Sequence, residues 1–206
     1  MAAIRSVTLE VSDLSAAEDF YAALEVDDCV RVRQSDAPTS GFRGFTLSLV
    51  VSQPSTVDNL IGTALDAGAT TLKTPRKSFW GYGGVVRAPD GAIWKVASSS
   101  KKDTEPANRR IDDVVLLLGV ADVKASKRFY VEHGLTVDKG FGSTYVQFDA
   151  GGGEMRLALY GRRALAKDAG VSPEGSGSHR LVVGSDAEGF TDPDGFAWEP
   201  VSVRQG

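Results

Sequence analysis

Val7, Leu9 and Val11 alternate with Thr8, Glu10 and Ser12, which predicts a strand with one buried face. A helix is expected next. Ser15 and Glu18 stand at capping-box spacing, and Ala17, Phe20, Tyr21 and Leu24 fall on one helical face. A strand is expected over 45–51. The clearest helix spans 56–67, where Val57, Leu60, Ile61, Ala64 and Leu65 form one stripe and Gly68 closes it. Strands follow over 70–73, 84–87 and 93–97. Later, Phe129 and Tyr130 repeat the helical aromatic pair and Gly134 stops their helix. Strands over 145–148 and 155–160 are joined by Gly151-Gly152-Gly153, a run suited to a hairpin. A short helix over 162–168 and a strand over 180–183 complete the pattern. Both Phe-Tyr pairs read as core that packs helix on sheet.

The pattern is duplicated. Val11-Ser12-Asp13 leads to Phe20-Tyr21, and Val120-Ala121-Asp122 leads to Phe129-Tyr130 at the same spacing. Ala88-Pro89-Asp90-Gly91-Ala92-Ile93-Trp94-Lys95 is echoed by Asp192-Pro193-Asp194-Gly195-Phe196-Ala197-Trp198-Glu199. The stretch 98–110 is polar, contains Pro106 and lacks apolar periodicity, so it reads as a linker. The expected domains are therefore 1–97 and 111–206.

This ordered duplication resembles the vicinal oxygen chelate superfamily, which includes glyoxalases, bleomycin-resistance proteins and extradiol dioxygenases. The resemblance covers nearly the whole chain. It implies an α+β fold of tandem β-α-β-β-β modules, forming two half-barrel glyoxalase-like domains around cavities. Each half is partly truncated. Only 35–44 precedes Phe45, so the first module lacks two strands. Only 184–189 separates the strand over 180–183 from Phe190, so the second domain lacks the helix matching 56–67. Incomplete sheets leave edges to cover. The chain is thus expected to be a monomer with paired halves or a homodimer.

Composition narrows the class. Of 206 residues, 42% are hydrophobic and 24% charged, which is ordinary globular composition. Net charge is -4, so no global positive field draws nucleic acid. No apolar run approaches the ~20 residues of a membrane span, and the first ten residues lack a signal-peptide layout. Cys29 stands alone, so no intrachain disulfide forms, which fits a cytoplasmic location. Cys29 itself reads as a small core residue.

The resemblance also implies where a metal would sit. Metal-using members carry His or Gln on a module's first strand and Glu just after the closing Trp, a set suited to a divalent cation. The matching positions here are Ser6, Leu47 and Lys95 in the first half, and Val115, His179 and Glu199 in the second. A protonated Lys95 repels a cation. In the second half Asp113, His179 and Glu199 would imitate a facial triad if a bulge at Gly119 brought Asp113 into register. Against this, Asp113 would merely cap its strand, Glu199 would be solvated or paired with Arg180, and His179 would be a strand-end residue. No metal ligand is assigned and no cofactor is expected, with a divalent metal left as the alternative. His133, at a helix end, carries no chemistry.

Phe79-Trp80-Gly81-Tyr82-Gly83-Gly84 sets three aromatics among three glycines. The aromatics would line a cavity mouth and stack on a flat ligand. The other reading packs Trp80 on the helix over 56–67. Asp90 and Asp194 are turn residues first. Lys95 would bind an anionic group or snorkel to solvent. There is no phosphate-binding glycine fingerprint, paired-cysteine zinc pattern or nucleophile elbow. The expectation is a protein that binds a small, planar organic molecule through Phe79, Trp80, Tyr82, Lys95, His179 and Glu199, with no catalytic residue assigned and no complete family metal site. The alternative is a metal-dependent lyase, isomerase or dioxygenase centred in the second half. A third reading is a duplicated domain with a decayed pocket that binds another protein.

Overall fold

The first alternating run forms β1 (Ile4–Val11), which buries Val7, Leu9 and Val11. It leads into α1 (Leu14–Ala23). The cap of α1 is Asp13 rather than Ser15. Its extended backbone lets the carboxylate accept from the Ala16 N–H at 3.0 Å, so Ser15 and Glu18 lie inside the helix. Then come β2 (Val30–Gln34), β3 (Thr39–Gly41) and β4 (Phe45–Val50). Helix α2 (Pro54–Asp66) begins two residues before its predicted start, with Pro54 in the first turn where no N–H is needed. It buries Val57, Leu60, Ile61 and Ala64 as expected, but leaves Leu65 exposed.

β5 (Thr70–Ser78), β6 (Gly81–Arg87) and β7 (Ile93–Ser98) complete the first half. The second half is β8 (Asp113–Val120), α3 (Val123–Glu132), β9 (Val137–Phe141), β10 (Tyr145–Phe148), β11 (Arg156–Gly161), α4 (Arg162–Ala169), β12 (Gly175–Gly177), β13 (Leu181–Ser185), β14 (Phe190–Thr191) and β15 (Ala197–Pro200). Asp122 caps α3 as Asp13 caps α1. The computed structural model describes residues 3–201.

The strands form an eight-stranded sheet, β5-β6-β7-β4-β8-β11-β10-β9, a five-stranded sheet, β14-β15-β13-β1-β2, and a ribbon of β12 with β3. Both larger sheets draw strands from both sides of the linker. β4 meets β8 antiparallel, with Ser48 opposite Val115, and β1 meets β13 antiparallel, with Val7 opposite Val183. The two fuller modules share one sheet and the two shortened ones share the other. The halves thus cover each other's edges within one chain. The linker is fastened too. Buried Gln53 accepts from the N–H groups of Thr104 and Glu105 and donates to the carbonyls of Glu105 and Pro106, which satisfies backbone that no strand pairs.

One face of the eight-stranded sheet (Leu47, Leu49, Trp94, Val96, Leu116, Leu118) shares a core with α1, α2, α3 and Val7, Leu9, Val183 and Trp198 of the other sheet. Phe20, Tyr21 and Tyr130 are buried in this core and Phe129 packs against it, as the aromatic pairs predict. The opposite face of the eight-stranded sheet is covered differently. There Val85, Ile93 and Leu117 pack with Phe42 and with Leu165, Ala166 and Ala169 of α4. Strand alternation places Lys95 on this second face, between Trp94 and Val96 of the core.

Candidate functional site

The face under α4 holds the first family-type position. Lys95 Nζ lies 2.7 Å from Asp168 Oδ2, near the end of α4. Lys73 of β5 donates to the carbonyls of Lys167 and Asp168, caps the same helix end and complements its dipole. At the other end, the Arg162 guanidinium donates to Phe42 O at 2.6 Å and to Pro173 O at 3.1 Å. Gly119 allows the close approach: a Cβ there would meet Gly44 O at 2.9 Å and Arg162 Cα at 3.2 Å. The bulge at Gly119 that the facial triad would need is absent, because β8 and β11 pair in unbroken register from Arg156↔Val115 to Gly161↔Val120.

The five-stranded sheet holds the second such position. Ser6, Gly184 and Glu199 lie in one row across β1, β13 and β15. Ser6 is buried. Glu199 does not pair with Arg180: its side chain is 57% exposed, as the solvated alternative has it, and lies 3.7 Å from Arg33, whose guanidinium holds Glu10 at 2.7 Å. Arg180 instead donates to Ala37 O.

His179 stands just before β13, because Arg180 has φ 50° and delays the strand. Its Nδ1 faces Arg43 O, its Nε2 lies 3.1 Å from Asp194 O, and its ring stacks on Phe196. Both nitrogens are thus engaged by backbone carbonyls. Asp113 sits 2.5 Å from Arg156 Nε. Burial pushes its carboxyl up, and the Arg156 guanidinium opposes that. Asp113, His179 and Glu199 are therefore held by three separate partners. Among the described residues no group of three His, Cys, Asp or Glu is set to hold a metal ion. These residues do not fit the facial-triad arrangement. Cys29 is buried in the core and burial pushes its thiol up to about 11, so it is no nucleophile at neutral pH.

The aromatic segment differs from its expectation. Phe79 and Trp80 form the tip between β5 and β6, beyond the last ladder pair Ser78↔Gly81. They contact each other edge-on and are 83% and 79% exposed. Trp80 therefore does not pack in the core, and neither residue is among those lining the cavity described next. Tyr82 faces α2, where its hydroxyl donates to Asp58 Oδ1 at 2.9 Å.

A cavity of about 190 Å³ opens elsewhere, between the loop before β4, the turn before β7 and the loop after α4. Phe42, Phe45, Ile93 and Val171 supply apolar walls, and Arg43, Arg87 and Glu174 supply charge. Gly41 and Gly44 bracket Phe42-Arg43 with φ of 66° and 90°, and a Cβ at Gly41 would meet Glu174 O at 2.4 Å. This loop presents the Arg43 guanidinium against the Asp90-Gly91 turn. Nη2 donates to Asp90 O. Nη1 is buried without a hydrogen-bond partner among the described residues. Leaving such a donor unmade costs ~1–3 kcal/mol, or more when it is charged. Burial draws the guanidinium's pKa down, and the Asp90 charge opposes this. The turn itself is fixed, since Asp90 accepts from Tyr21 Oη and from Ala92 N, both at 2.9 Å.

Sequence reasoning missed Arg43. Its available signal was the Gly-Phe-Arg-Gly bracket, a charged residue between two backbone hinges.

The structure aligns with glyoxalase I from Zea mays at a TM-score of 0.64, covering 98% of this chain and 92% of that one at 14% identity. A point mutant of glyoxalase I from the same plant gives 0.63, with 97% and 93% covered at 14% identity. A Bacillus subtilis protein proposed to be a dioxygenase gives 0.59, with 99% and 86% covered at 13% identity. No protein-family model and no curated protein sequence matches the chain. At such identities the likeness is one of fold. The chain shares the fold of these glyoxalase I structures over 97–98% of its length.

Proposed function

We propose that this chain binds a small organic molecule and works without a complete family-type metal centre. The observation that carries the reading is the pairing at the two closing positions. Lys95, itself basic, is joined to Asp168, and Glu199 is solvent-exposed beside Arg33 at 3.7 Å, so a positive side chain stands at or next to each position where a divalent cation would need donors. Helix α4 lies over the face that Lys95 occupies. The metal-dependent lyase, isomerase or dioxygenase would need Asp113, His179 and Glu199 to converge, and each is engaged elsewhere. The binding place is the cavity at Arg43, not the aromatic tip. Its apolar walls with a few convergent polar groups are the usual lining of such sites, and its volume of about 190 Å³, below the ~300–1,000 Å³ of drug-sized sites, points to a small ligand. Each half supplies strands to both sheets, so the reading takes the single chain with paired halves as the binding unit. A reducing, cytoplasmic setting suits its single buried cysteine.

The test is ligand-observed NMR of the chelator-treated full chain against small planar aromatics, with Val171→Trp to fill the cavity. Binding without metal that is lost in Val171→Trp supports the reading. Binding that appears only when Mn²⁺, Ni²⁺ or Zn²⁺ is restored contradicts it.

A further inference from the structure

We infer that the hairpin tip Phe79-Trp80 is a wedge by which the protein docks on an anionic lipid surface. A lone exposed apolar side chain needs no explanation, but two large aromatics adjoining at the end of a hairpin do. The chain's other tryptophans, Trp94 and Trp198, are both buried. The tip is held outward by its own turn. β5 and β6 stay paired up to Ser78↔Gly81, so only Phe79 and Trp80 lie beyond the ladder. The Ser78 hydroxyl accepts from the Trp80 N–H at 3.2 Å and donates to Gly81 O at 3.4 Å. Gly81 has φ 139°, and a Cβ there would overlap Ser98 O, so the base of the tip rests against the end of β7. A tip ordered in advance loses little freedom on docking.

Charge beside the tip selects the surface. Arg76 and Lys77 are exposed, and neither has an ion pair among those found in the described residues. Successive strand residues point to opposite faces, so one cation stands on each side of the hairpin. Lys101 and Lys102 are also exposed, in the segment that leaves β7 past Gly81. Asp58 and Asp103 are the acids that act on Tyr82 at the base. Asp58 accepts from the Tyr82 hydroxyl, and Asp103 accepts from the Ser55 N–H. A lipid surface fits this shape better than a protein does. Two aromatic side chains offer roughly 300–500 Å², whereas a stable protein interface takes ~800 Å² from each partner. Lipid headgroups yield around a convex wedge, accept Trp at the boundary of polar and apolar layers, and bring anionic groups to Arg and Lys.

The experiment mixes the full chain with vesicles of phosphatidylcholine alone, or with roughly 30% phosphatidylserine added, and reads co-sedimentation and tryptophan emission. Trp80 is the exposed one of three tryptophans, so a shift in emission reports the tip. The serine-containing vesicles should bind at least about tenfold more tightly, since each nearby cation is worth about fivefold. Emission should move to shorter wavelength on binding. The double variant Phe79→Ser/Trp80→Ser should lose co-sedimentation. Arg76→Gln/Lys77→Gln should bring the serine-containing vesicles down to the phosphatidylcholine level. All four side chains are exposed, so both variants keep the fold. Binding to neither vesicle, or binding that survives Phe79→Ser/Trp80→Ser, overturns the inference. Equal binding to both vesicles, or no loss in Arg76→Gln/Lys77→Gln, overturns the selection for an anionic surface. Self-association in sedimentation velocity that Phe79→Ser/Trp80→Ser abolishes, without vesicle binding, makes the tip a protein contact and overturns the lipid assignment.

Discussion

The ammonium of Lys95 and the carboxylate of Asp168 meet at 2.7 Å across 73 residues of chain. One residue follows Trp94 of β7, the position to which the sequence resemblance would assign a metal-binding carboxylate. The other belongs to the helix that covers the same face. The contact ties a basic residue of β7 to the helix that closes the face above it.

The pair is about a third exposed on each side, so solvent screens it. A double-mutant cycle of Lys95→Met and Asp168→Asn, followed by chemical denaturation, should give a coupling of about 0.5–1 kcal/mol. Hydrogen exchange in α4 should rise in either single variant. A coupling near zero with unchanged α4 exchange would show that the contact does not hold the helix.

The duplicated tyrosines reach different aspartates. Tyr21 donates to Asp90, which is half-buried, and Tyr130 donates to Asp192, which is buried and whose carboxyl burial pushes up. Tyr130→Phe should therefore destabilise by ~1–3 kcal/mol, the cost of a stranded buried acceptor. Tyr21→Phe should cost less, since water reaches Asp90. Equal losses in urea denaturation would mean that burial does not set the difference.

Trp80 stands outside the core, so Trp80→Ser should change unfolding stability by less than about 0.5 kcal/mol. A loss of ~3–5 kcal/mol on truncating Trp80, the cost of emptying a core site, would restore the core reading of the hairpin.

These outcomes mark what the chain made legible. The Phe-Tyr pairs, the glycine hairpin before β11 and the repeated closing turns followed from local periodicity, and all occupy their expected places. The aromatic tip did not. β5 runs to Ser78 rather than to residue 73 because it is an edge strand, where Pro75 is tolerated, with register shifts along the way. The longer hairpin leaves Phe79 and Trp80 out of the cavity lining. Arg43 and Asp168 stayed hidden for another reason. Their meaning lies in partners 47 and 73 residues distant, and no spacing rule connects a loop arginine to a turn carbonyl or a helix end to a strand lysine.

Acid should weaken the fold at two carboxylates. Backbone N–H groups of Ala125 and Lys124 hold Asp122 below the usual carboxylate range, and a hydrogen bond from Arg5 does the same for Asp186. A folded value below the unfolded ~3.9 gives stability that is present above about pH 4 and lost as pH falls through the folded value. Asp122→Ala and Asp186→Asn should thus lower Tm at pH 7, with the deficit closing toward pH 2–3, roughly below the unfolded carboxylate range. A deficit of the same size at both pH values would mean that the carboxylate charge is not its source.

Metal content of the full chain, purified without chelator and measured by elemental analysis, tests the central claim most directly. The pairing of Lys95 with Asp168 and of Glu199 with Arg33 predicts well under one Mn, Fe, Ni or Zn per chain, roughly a tenth or less for a site without its ligand set. About one equivalent per chain, lost in both His179→Ala and Glu199→Gln, would contradict the claim and make the second half a metal centre.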